Sequence, residues 1–127
     1  MIEIGYDAAV QALRECVTER GENYVYTPCS IWGCVYWHDK TNEPGCLIGL
    51  ALYKLGVSSS VLQKLGNLHV RDRDNTKAFA AAGFALTNSA TAVFAHAQSL
   101  QDHSMPWGRA VAETITWFDT AHKGERE

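Results

Sequence analysis

The chain has 127 residues, 46% hydrophobic and 20% charged, a balance that fits a globular domain and excludes an intrinsically disordered one. Its formal charge of −3 at pH 7 supplies no overall attraction to nucleic acid or anionic lipid. All four cysteines and two of the four tryptophans fall within the first 46 residues, which is the one unusual feature of the composition.

The amino-terminal residues, Met1 to Asp7, lack the basic start and apolar run of a secretory signal. The longest nearly apolar stretch, Cys46 to Tyr53, falls far short of the roughly 20 residues that span a bilayer. These features predict a cytoplasmic protein without membrane contact, whose cysteines are free thiols or metal ligands rather than disulfides.

From Tyr6 to Arg20 apolar side chains recur at helical spacing, with Tyr6, Ala9, Val10, Leu13, Cys16 and Val17 on one face. Gln11, Arg14, Glu15 and Glu19 take the other face, and Gly21 is a stop. The next stretch changes character. Tyr24 to Tyr26 and Ile31 to Trp37 are β-branched or aromatic, and His38 to Asn42 forms a polar turn. Two short strands, or an irregular flap, are expected there. Cys46 to Leu55 is apolar nearly all round and reads as a buried helix closed by Gly56. A short helix capped from Ser58 to Ser60 and stopped by Gly66 follows, then a charged connector from His69 to Lys77. Lys77 to Phe84 reads as helical. Thr87 or Asn88 caps a longer helix to about His103, and Pro106 opens a final one with Trp107, Val111, Ile115 and Phe118 on its buried stripe. The expected architecture is mainly α: a compact single domain of five to six helices over residues 1–127, with a β-hairpin or extended flap at about 22–45 and a frayed tail at about 123–127.

Four constellations bear on chemistry. Cys29, Cys34, His38 and Cys46 supply three thiolates and an imidazole, a donor set that suits tetrahedral zinc, although their spacing matches no common finger. The same cysteines also fit the role of small buried hydrophobes, and Cys16 sits on an apolar helix face. Cys46 at a helix start is placed for a lowered thiol pKa, with His38 as base and Asp39 orienting another group, the outline of a Cys-dependent hydrolase or transferase. His96, Gln98, Gln101, Asp102, His103, Trp107 and Arg109 form a polar set on the late helices. That set reads first as a solvated helix edge, and alternatively as a ligand site or a donor to a neighbouring loop. Finally, Arg71, Arg73 and Lys77 alternate with Asp72 and Asp74, which cancel much of a phosphate-binding field and indicate a solvated connector. No phosphate loop, nucleophile elbow or metalloprotease motif is present.

Cys34-x-Tyr36, Pro44-Gly45-Cys46-Leu47-Ile48-Gly49 and Leu55-Gly56-Val57, followed by Ala97-Gln98, Gln101-Asp102 and Trp107-Gly108, together resemble a group of small uncharacterised proteins from actinobacteria and the phages that infect them. The resemblance runs roughly from Tyr24 to Val111 and implies an intracellular bacterial or phage setting. It implies no reaction and no ligand. It singles out Cys34, Tyr36, Pro44, Cys46, Gly49, Gln98, Gln101, Asp102 and Trp107, and leaves Cys29 aside. A shared packing interface between flap and late helices would give the same pattern.

The leading expectation is therefore a non-enzymatic protein that binds another protein or itself, with Trp32, Tyr36 and Trp37 of the flap as interface anchors and Gln98, Gln101, Asp102 and Trp107 as further contact residues. The Cys46–His38 enzyme and the small zinc domain are the alternatives.

Overall fold

The computed structural model describes residues 2–26, 35–65 and 73–122, the side chains of 73 and 74 excepted. Its elements in chain order are β1 (Ile2–Ile4), α1 (Tyr6–Arg20), β2 (Trp37–His38), β3 (Glu43–Pro44), α2 (Leu47–Lys54), α3 (Ser59–Leu65), α4 (Arg73–Ala81), β4 (Phe84–Leu86), α5 (Asn88–Asp102) and α6 (Trp107–Ala121). The mainly α architecture, its six helices among the described residues and the small hairpin between α1 and α2 are as the sequence predicts.

Four helices make the centre. α1 packs on α2, α5 and α6, and α5 packs on α2 and α6. On α1 the expected face is buried through Tyr6, Ala9, Val10, Leu13 and Cys16, and Gly21 ends the helix at φ +95°. α2 has only eight residues, yet Leu47 to Leu52 are all buried, as its all-round apolar sequence requires. α5 begins where Thr87 Oγ1 accepts from the Ala90 amide at 3.1 Å. Trp107, Phe94 and Phe118 are the large aromatics at the centre of the resulting core. No helix among the described residues is long and apolar enough to cross a membrane.

The strands depart from expectation. α4 starts at Arg73, inside the expected charged connector, and ends at Ala81. Gly83, at φ +88°, then turns the chain into β4, which pairs in parallel with β1 so that Ile2 faces Phe84 and Ile4 faces Leu86. A helix through Phe84 fails because the glycine favours the left-handed turn and Phe84 finds a strand partner. The hairpin β2–β3 is also smaller than the expected flap strands: Trp37 pairs with Pro44 and His38 with Glu43. Tyr24 to Tyr26 form no strand. Instead the Glu22 and Tyr24 carbonyls accept from the Gly108 and Trp107 amides at 3.0 and 2.8 Å, capping the start of α6 with main chain.

Candidate functional site

Several of the residues singled out in the sequence, Tyr36, Cys46, Gly49, Gln98 and Gln101, come together at one seam, where the segment leading into α2 meets α5. The Gly45 and Cys46 amides donate to the Tyr36 and Val35 carbonyls at 3.0 and 2.9 Å. That approach is close enough that a Cβ on Gly49 would collide with the Tyr36 carbonyl oxygen and lie 2.8 Å from its Cα. From α5, Gln98 Nε2 donates to the Tyr36 hydroxyl at 2.8 Å, and Gln101 Oε1 accepts from the Leu47 amide at 2.8 Å. Gln101 Nε2 donates in turn to Asp102 Oδ1. Gln98 and Gln101 are each 1% exposed, so the solvated-edge reading of this pair is corrected. They are buried because each amide meets a specific partner, and Gln101 supplies an acceptor to the orphan amides of α2. Asp102 stays exposed.

The remaining candidates take varied places. Tyr36, Trp37 and Trp107 are buried, with Trp37 against the half-exposed Tyr53 at 5.5 Å between ring centres. Tyr24 meets Trp107 edge-on at 4.5 Å. Tyr36 and Trp37 thus hold the fold in place of the interface-anchor role expected for them, and Trp107 is buried as its place on the apolar stripe of the last helix predicts. His96 stacks on Trp117 at 4.0 Å, His103 Nδ1 lies 2.6 Å from the Ser99 carbonyl, and Arg109 pairs with Glu113 at 3.0 Å. Cys29, Trp32, Cys34, Arg71 and Asp72 lie outside the described residues.

Cys46 corrects the expectation of free thiols, because its sulfur is in a disulfide whose partner lies outside the described residues. It is fully buried at the cap of α2, next to Gly45, against which the His38 ring packs. His38 Nε2 is 3.3 Å from the Tyr26 hydroxyl. Nucleophilic attack and zinc binding both need the Cys46 sulfur as a thiolate, and the disulfide occupies it. Among the described residues no three His, Cys, Asp or Glu side chains converge as a metal-binding group. Cys16 is free and buried, with burial pushing its thiol up to about 12.

Sequence reasoning missed a groove between α1 and α6. Val17, Val111 and Ile115 form its apolar floor, and Arg14, Thr18, Glu22 and Arg109 stand on its rim, around a volume of about 730 Å³. A second cleft of about 310 Å³ lies along the same pair of helices, between Asp7, Gln11 and Arg14 on one side and Ile115 and Asp119 on the other. The signal available beforehand was the run Asp7, Gln11, Arg14, Thr18 at spacings of four, three and four, one stripe of an amphipathic helix. What lay opposite that stripe was not readable. No family model, no curated protein and no solved structure matches the chain.

Proposed function

We propose that the protein is a small non-enzymatic binding domain, acting by contact with another protein or with itself, in the phage or actinobacterial setting that its sequence resemblance implies. The groove between α1 and α6 carries this reading. It combines an apolar floor with charged walls, the composition that recognition surfaces use, and apart from the buried Val111 the side chains named at its floor and rim are ones that core packing leaves exposed or half-exposed. Tyr36, Gln98 and Gln101, first expected to make contacts, are spent on the seam with α5, so this reading puts the contact surface between α1 and α6 instead. The Cys46-centred enzyme and the zinc domain both need a thiolate that the disulfide removes. The binding reading has no such requirement.

The reading is tested with a photo-crosslinking residue at Thr18 in the groove and, in a separate sample, at the exposed Lys64 on α3, in cells expressing the full chain. Crosslinks to a protein chain, its own or another, concentrated at Thr18 are the expected result. Equal labelling at both positions, or none at Thr18, overturns the assignment.

A further inference from the structure

Resting on the proposal that the α1–α6 face is a binding surface, we infer that its occupant is a second copy of this chain, seated antiparallel across a two-fold axis. Along the smaller cleft Asp7, Gln11 and Arg14 follow one another on α1, and Ile115 and Asp119 complete it from α6. The acidic end and the basic end stand about two helical turns apart, roughly 10 Å, with uncharged Gln11 and half-buried Ile115 between them. A two-fold axis through that uncharged centre sets Asp7 and Asp119 of each copy against Arg14 of the other. The face is then complementary to itself, which is the condition for a closed, isologous dimer. Neither Asp7 nor Arg14 makes an ion pair among the described residues, so both charges are available to a second chain. Tyr6 donates to Asp119 Oδ1 at 3.5 Å and fixes the acidic end in place.

Sedimentation equilibrium of the full chain from micromolar to several hundred micromolar tests the inference. The wild type is expected to pass from monomer to dimer across that range and to dissociate at least tenfold more easily in 0.5 M salt. Arg14→Asp and Asp7→Arg place like charges across the axis, so each alone should be monomeric at concentrations where the wild type is dimeric. Mixed together, the two variants restore opposite charges between positions 7 and 14 in both halves and should dimerise more readily than either alone. A wild type that stays monomeric throughout, or single variants that dimerise as it does, overturns the inference. If Thr18 still crosslinks to a different protein in that case, the binding surface stands and only its occupant is wrong. If Thr18 captures nothing, both proposals fall.

Discussion

Gln98 and Gln101 show how one polar side chain decides what packs where. Each is buried with a well-placed partner from the segment before α2 or its first turn, the Tyr36 hydroxyl and the Leu47 amide. Tyr36→Phe removes the hydroxyl that the buried Gln98 Nε2 donates to at 2.8 Å, which should cost about 1–3 kcal/mol in urea unfolding. Adding Gln98→Leu to Tyr36→Phe should recover a good part of that loss, because both polar groups are then gone, whereas strictly additive losses would show that the two side chains do not act as a pair. Their spacing was legible, since residues three apart share a helix face. Their burial was not, because it depends on a chain segment far away in sequence. Cys16 was legible on both counts, as a small apolar side chain on a regular face. Its thiol is raised from an ordinary 9.0 to about 12, so the unfolded chain releases that proton first and folding stability falls as pH rises through this window. Cys16→Ala should flatten the slope of stability against pH between 9.0 and about 12, and an unchanged slope would place the alkaline loss on other groups.

At the level of elements, two helix starts are finished by groups from elsewhere in the chain. α2 uses a glutamine side chain, and α6 uses the main chain at Glu22 and Tyr24. The second arrangement needs Gly108, because a Cβ there would stand 2.8 Å from the Glu22 Cβ and 2.9 Å from its Cα. Gly108→Ala should therefore lower stability by about 1–3 kcal/mol and speed hydrogen exchange at the Trp107 and Gly108 amides. Exchange unchanged at those two amides would mean that the strip at 22–24 does not cap the helix. The helices themselves were readable, because α1, α2, α5 and α6 each carry a face or a run of apolar residues long enough to fix their type. The hairpin was readable in outline, but the pairing of β1 with β4 was not. Three residues of alternation at Ile2 to Ile4 carry little signal, and their partner β4 hides behind an alanine-rich helix. Tyr24 to Tyr26 misled for a related reason: aromatic and β-branched residues fit a buried docking strip as well as a strand.

For the molecule as a whole, the Cys46 disulfide ties the entrance of α2 to a part of the chain outside the described residues. Reduction should lower unfolding free energy by about 2–4 kcal/mol, as should Cys46→Ser, and reductant should have no further effect on that variant. Equal stability with and without reductant would show that the bond carries no constraint. Disulfides persist in oxidising surroundings, so this bond pulls against the cytoplasmic setting expected from the sequence, and the cysteine clustering reads best as a staple. The groove was the least legible feature of all, since it belongs to two helices at opposite ends of the chain. The pairing of β1 with β4 bears on how such a chain comes to be folded. Ile2 has no partner until Phe84 has been synthesised, and the face of α1 that meets α5 and α6 waits longer still. The nascent chain thus leaves the ribosome with an amphipathic helix partly uncovered. The last helices must close back onto the first, so loop entropy is spent before the contacts that offset it. Chaperone demand and aggregation during synthesis are accordingly concentrated in the interval before α6 is complete.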